Sequence, residues 1–142
     1  MGKVKNILQD KGNAVFSVEP NITVYNAIEL MCEKNIGGLL ILEGEKLVGI
    51  FTERDYARKL ILKGKSSKDA KISELMTRNP FTVNLDTTID ECMGMMSGKR
   101  IRHLPVMDNE KVVGMISIGD VVKHIIEEQK GIIEHLESYI TN

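Results

Sequence analysis

Gly49-Ile50-Phe51-Thr52-Glu53-Arg54-Asp55 is answered 65 residues further on by Gly114-Met115-Ile116-Ser117-Ile118-Gly119-Asp120. Each stretch is an apolar run closed by Ser/Thr-x-x-Asp, the pattern of a strand passing into a capped helix. Working outward, the offset of 65 holds without a gap back to Phe16 against Phe81. Val18/Val83, Thr23/Thr88, Met31/Met96, Ile36/Ile101, Leu39/Leu104, Glu45/Glu110 and Val48/Val113 are identical pairs in that register. A repeat of this kind decides the fold before any local signal does.

Each copy reads as one supersecondary unit. Phe16 to Val18 alternates as a short strand, and Pro20-Asn21 breaks it. Thr23 caps a helix whose Ala27, Ile28, Met31 and Cys32 recur at helical spacing. Leu39 to Leu42 predicts a buried strand, Glu43-Gly44-Glu45 a tight turn, and Leu47 to Phe51 the hairpin partner. A second helix is expected from Arg54 to Leu62. The second copy repeats the order: Phe81 to Val83, a helix capped by Thr88, Leu104 to Met107, the turn Asp108-Asn109-Glu110, Val112 to Ile116, and a helix from Asp120. The fold class expected is mixed α/β (α+β), two β-α-β-β-α repeats packed through their sheets.

A unit of this size is marginal alone, so the two copies should share a core. Gly64 to Lys71 is the polar linker. Ile72 to Met76 is a short lead-in helix, with Val4 to Leu8 as its counterpart at an offset of 67 or 68. The expected organisation is repeat 1 with its lead-in over 1–65, linker, lead-in and repeat 2 over 66–126, and a helical extension over 127–142.

Composition excludes several functions. Nineteen Lys and Arg face twenty Asp and Glu in 142 residues, a net charge of -1, so no global basic field draws nucleic acid or anionic lipid. Aromatic residues make up 4% with no Trp, which removes the stacking platforms of single-strand binders. Met1 to Asn6 carries no signal-peptide core, and no apolar run is long enough to span a membrane, so a soluble cytoplasmic protein is expected. Cys32 and Cys92 sit in apolar helical stretches and read as two buried small hydrophobes. His124 and His135 lack the spacing of a metal pair, and HExxH, CxxC and paired-carboxylate patterns are absent, so no catalytic or metal site is expected.

The doubled strand ends, the lead-in Ile72 to Met76 and the stretch Arg100-Ile101-Arg102-His103-Leu104-Pro105-Val106 together resemble the tandem cystathionine-beta-synthase (CBS) domains, the Bateman module. The resemblance covers roughly Val4 to Ile126. It implies two repeats related by pseudo-twofold symmetry, a stand-alone pair that binds rather than catalyses, often as a flat homodimer. It implies an adenosine ligand, with AMP first and ADP, ATP or NAD(H) as alternatives, and a regulated enzyme as partner. A structural dimerisation protein that binds no nucleotide is the rival reading.

Within that frame the site residues follow chemically. Asp55 offers two acceptor oxygens to the neighbouring hydroxyls of a ribose, and Thr52 adds a hydroxyl; Ser117 and Asp120 repeat the pair. Helix capping gives the same sequence look. Arg102 and His103, beside Arg100, can hold phosphate oxygens. Their counterparts in the first copy are Gly37, Gly38 and Asn35, so the two clefts are unequal. By the resemblance, one cleft joins Thr82, Val83, Ile101, Arg102 and His103 to Thr52 and Asp55. The other joins Ser17, Val18, Ile36, Gly37 and Gly38 to Ser117 and Asp120. The first is favoured for a phosphorylated ligand. The tail, with Ile132, Ile133, Leu136, Tyr139 and Ile140 at helical spacing, is expected to cross a dimer interface or face a partner, with docking on its own chain as the alternative.

Overall fold

Hydrophobic period and caps divide the chain as the repeat requires. A computed structural model describes residues 2–141. α1 (Val4–Lys11) precedes the first copy, which contains β1 (Ser17–Val18), α2 (Val24–Lys34), β2 (Gly38–Glu43), β3 (Lys46–Thr52) and α3 (Glu53–Lys59). α4 (Ile72–Leu75) and β4 (Thr77–Arg78) lead into β5 (Val83–Asn84), α5 (Ile89–Lys99), β6 (His103–Asp108), β7 (Lys111–Ser117) and α6 (Ile118–Thr141). The Thr23 and Thr88 hydroxyls accept from the amides of Asn26 and Glu91, each at 3.1 Å, and so cap α2 and α5.

The sheets repeat in detail. β1 runs parallel to β2, which pairs antiparallel with β3; β5, β6 and β7 do the same. Both hairpins slip register at equivalent points, between Ile41 and Leu42 and between Val106 and Met107. One difference stands out: β4 adds a fourth strand against β3, whereas the sheet of the second copy has three.

Two cores form, and each is completed by the other copy's lead-in. Val24, Ala27, Met31, Leu39, Ile41 and Phe51 are buried with Ile72, Leu75 and Met76. Ile89, Cys92, Met96, Leu104, Val106 and Ile116 are buried with Val4, Ile7 and Leu8 from α1. The backbone repeats this exchange at an offset of 68. Val4 N–H donates to Thr87 O at 2.9 Å as Ile72 N–H donates to Ile22 O at 2.9 Å, and Ile89 N–H reaches Gly2 O as Val24 N–H reaches Ala70 O. A methyl group at Gly49 would lie 2.7 Å from Met76 Sδ and 3.0 Å from Thr77 O; at Gly114 it would lie 2.9 Å from Leu8 Cδ2. Both glycines leave room for the incoming lead-in.

Some elements depart from the sequence reading. α3 stops at Lys59, and after it Leu60 stays buried while Ile61 and Leu62 are exposed. α6 begins two residues earlier than expected and runs 24 residues through Gly131, which one helix interior tolerates. Cys32 is exposed, a correction to its expected burial, whereas Cys92 is buried. The repeat gives the reason: Cys92 falls at the core position of Ala27, and Cys32 at the surface position of Ser97. Among the described residues no helix is long and apolar enough to cross a membrane.

Candidate functional site

The strand-to-helix corner after β3 carries Asp55, the one charged side chain buried among the described residues, at 8% exposure. It closes a capping box with Thr52: Thr52 N–H donates to Asp55 Oδ2 at 2.9 Å, and Asp55 N–H donates to Thr52 Oγ1 at 3.3 Å. The Thr52 hydroxyl also donates to Oδ2 at 3.2 Å. Thr77, from β4, donates its hydroxyl to Oδ1 at 3.1 Å, and the Lys59 ammonium lies 3.0 Å from the same oxygen. A carboxylate has about four lone-pair sites, so all of Asp55's acceptor capacity is engaged inside the chain.

This carboxylate stands in a cleft of about 950 Å³ between the two copies. Thr52, Asp55, Ile101, Arg102 and His103 all line it, as does Gly37. Thr82 and Val83 are not in the lining: Thr82 is exposed, and the Val83 side chain is in the core. β5 begins at Val83 rather than Phe81, and it is the segment ahead of it, Pro80 and the 49%-exposed Phe81, that lines the cleft.

Sequence reasoning found two of the cleft's arginines beside His103 and missed the others. Arg54, Arg58, Lys59, Arg78, Arg100 and Arg102 line the cleft against Glu53 and Asp55. Arg54 and Arg58 lie on α3 one turn apart, a spacing that places them on one face and was legible in the sequence. Arg78 is delivered by β4, which no local signal announced. Arg54 Nη1 donates to the Arg100 carbonyl at 3.0 Å, joining the copies across the cleft. Arg100 ends α5 in the left-handed region, φ 55, as Asn35 does for α2 at φ 54.

His103 explains the glycines opposite it. A methyl at Gly38 would sit 3.3 Å from the imidazole, and one at Gly37 would sit 3.5 Å from both the ring and Glu53. The inequality of the copies is thus complementary, because the bulky residue of one repeat fills the space left by the small pair of the other. Burial pushes the His103 pKa below 6.5, with the Glu53 and Asp120 carboxylates pulling it back and Lys11 and Arg102 opposing them.

The corner after β7 has the same box and a different guest. Ser117 N–H donates to Asp120 Oδ2 at 2.8 Å, and Asp120 N–H donates to Ser117 Oγ at 3.1 Å. The third partner is Lys11 of α1, whose Nζ lies 2.7 Å from Asp120 Oδ2 and 2.9 Å from the carbonyl of Met115 on β7. Burial raises the Asp120 pKa, but the Lys11 ammonium and the Ser117 donors outweigh it and hold the carboxyl below 3.8. Ser17 and Val18 are paired with Leu40 and Ile41 in the sheet, and Ile36 packs against the first core.

Two β-α-β-β-α units that exchange lead-in helices around a cleft furnished by both define a regulatory ligand-binding module. The family model of the CBS domain matches residues 4–62 and again 72–127, and the chain belongs to that family. The CBS domain-containing protein CBSX3, mitochondrial, of Arabidopsis thaliana is 41% identical over 123 residues, 83% of this chain and 60% of that protein. The chain thus spans less than two thirds of that relative. A protein with CBS domains from Burkholderia ambifaria MC40-6 is 47% identical, with a TM-score of 0.86 over 89% of this chain and 96% of that one. The CBS domain pair of protein MJ0100, solved in complex with 5-methylthioadenosine and S-adenosyl-L-methionine, is 31% identical, with a TM-score of 0.79 over 90% of this chain and 98% of that one.

Proposed function

We propose that this chain senses an adenosine nucleotide of the AMP, ADP or ATP type in the cleft between its repeats and signals through dimer shape or a partner protein. One observation carries the reading: a buried carboxylate suited to a ribose diol and six Lys and Arg side chains line the same cleft of about 950 Å³. The adenosine ligands of the MJ0100 pair support the ligand class. The lining argues for phosphate rather than a sulfonium, because a cationic ligand meets repulsion where a phosphate meets bidentate arginine donors. A cleft near the upper end of the usual small-ligand range, about 300–1,000 Å³, also suits the longer NAD(H), which is the second reading.

In this reading the ribose takes acceptor sites on Asp55 now held by Lys59, and the freed ammonium turns to the phosphates. Lys59 also donates to the Leu75 carbonyl at 3.0 Å and to the Thr77 hydroxyl at 3.3 Å. Ligand entry therefore bears directly on α4 and β4, the lead-in that completes the first core. The shift in shape is limited by the ligand's differential affinity for the two arrangements.

A second copy is the expected partner of α6. Val122, Ile126, Ile132, Ile133, Leu136, Tyr139 and Ile140 are 41–83% exposed, and residues 129–140 are exposed throughout. So wide an apolar stripe marks an interaction face. Isothermal calorimetry with AMP, ATP, NADH and S-adenosylmethionine tests the ligand reading. Phosphorylated adenosine compounds binding at least tenfold more tightly than S-adenosylmethionine is the expected result, and no binding by any of them would leave the structural-dimerisation reading in its place.

A further inference from the structure

We infer that Phe81 is the platform on which the nucleotide base stacks, and that Pro105 puts it there by releasing the chain ahead of β5 from the sheet. The inference deepens the nucleotide reading of the cleft and rests on it. Among the described residues lining the cleft, Phe81 is the one Phe, Tyr or Trp, and it is 49% exposed in a lining otherwise rich in Lys and Arg.

The repeat supplies the comparison. Phe16 holds the same position in the first copy, and each ring has a lysine over one face: Lys34 Nζ lies 5.8 Å from the Phe16 centroid and Lys99 Nζ 5.1 Å from that of Phe81. Phe16 is nonetheless half-buried and packs against the first core, whereas Phe81 lines the cleft. Side-chain chemistry does not separate the two positions.

The backbone does. In the first copy Leu40 N–H donates to the Phe16 carbonyl at 3.2 Å, just ahead of the pairing of Ser17 with Leu40 and Val18 with Ile41. Leu40 is answered 65 residues on by Pro105, which has no N–H to give. The rung that would hold Phe81 is therefore missing, and β5 pairs with β6 only from Val83 against Val106. Asn79, at φ 48, and Pro80 set the course of the chain between β4 and β5, and Phe81 follows them into the cleft wall.

An apolar ring left half open to water is a cost that a base can offset, because every base has a π-face and stacks on an aromatic side chain. With the Lys99 ammonium over one face of Phe81, the other is left for a single base. Asp55 and Arg102 line the same cleft, so the base, ribose and phosphates of one nucleotide each have a partner there.

The experiment uses the full chain with ATP and inorganic triphosphate as probes. By calorimetry Phe81→Leu should bind ATP about tenfold more weakly than wild type, and Phe81→Trp should retain binding. The chain has no Trp, so Phe81→Trp also provides a sole indole, whose fluorescence ATP should quench and inorganic triphosphate should not. Pro105→Ala returns an N–H to β6; that amide should be protected from hydrogen exchange, and ATP should bind more weakly as Phe81 is drawn back to the sheet. Pro105→Leu, which copies the first repeat, covers the case in which Ala at this buried position fails to fold. Phe81→Leu that binds ATP within about twofold of wild type, or an indole that ATP binding leaves unquenched or that triphosphate quenches equally, would overturn the base platform and leave the nucleotide reading intact. A freely exchanging amide at position 105 would overturn the part given to Pro105. No ATP binding to wild type would overturn the functional reading and this inference with it.

Discussion

Asp55→Asn and Asp55→Ala separate the two jobs this carboxylate can hold, capping α3 and receiving a ribose. The wild-type side chain takes four contacts: the Thr52 amide at 2.9 Å, the Thr52 and Thr77 hydroxyls at 3.2 and 3.1 Å, and Lys59 at 3.0 Å. Asn keeps one carbonyl oxygen for the Thr52 amide and loses the ion pair, whose lysine is 36% exposed and is therefore worth only about 0–1 kcal/mol. Ala loses the capping box as well and leaves the half-buried Thr52 hydroxyl and the exposed Thr77 hydroxyl without their acceptor, so its cost is about 2–3 kcal/mol against about 1 for Asn. For a domain of this size that is a fall of roughly 4 °C per kcal/mol, about 4 °C for Asn and about 10 °C for Ala. Binding should not follow that order. An amide presents one acceptor oxygen, uncharged, where the carboxylate presents two to the pair of hydroxyls, so both variants should lose at least tenfold in ATP affinity, about 1.4 kcal/mol. Differential scanning fluorimetry gives the melting temperatures and calorimetry the affinities. Asp55→Asn that binds within twofold of wild type would refute the ribose role and leave the carboxylate a helix cap.

Ile7→Ala, at 2% exposure, should cost about 2–5 kcal/mol and should loosen the second copy although Ile7 precedes the first; faster amide exchange in β6 and β7 than in β2 and β3 is the check. Under native conditions a maleimide should label Cys32 and spare Cys92, whose thiol burial, aided by Glu91, raises to about 11; two labels per folded chain would contradict the packing. The folded-state pKa values of His103 and Asp120 are both depressed, so each contributes stability at neutral pH that is lost on acidification. The His103 share is full above about 6.5 and fades as pH falls through its folded value; the Asp120 share fades only below about 3.8. Melting temperature followed from pH 8 downward should therefore fall first in the range of His103, and His103→Gln should remove that first stage. An unchanged profile in the variant would reject the assignment.

The repeat made most of the fold legible, because an offset of 65 carries caps, strand registers and core positions from one copy to the other. What it could not carry is the exchange of lead-ins. Val4, Ile7 and Leu8 form an apolar face in the sequence without naming the surface that receives it, and Gly49 and Gly114 look like ordinary strand glycines until Met76 and Leu8 are seen against them. Cys32 misled for a related reason. Helical spacing cannot tell the edge of an apolar stripe from its centre, whereas comparison with Ser97 could have done so.

The site was legible where the copies agree in chemistry and obscure where they differ. Thr52 with Asp55 and Ser117 with Asp120 announce themselves by duplication, but duplication alone predicts two equivalent clefts. The departures give the two carboxylates different partners. A short β4 brings Thr77 to the first carboxylate and Arg78 to the cleft around it, while a longer α1 brings Lys11 to the second. His103 lines the cleft and packs its ring against Gly37 and Gly38, where a side chain would crowd it. Substituting Gly38 by Ala would set a methyl 3.3 Å from that ring and force the ring to give by a few tenths of an ångström, so the imidazole that lines the cleft beside Arg100 and Arg102 is positioned by the glycines of the other copy.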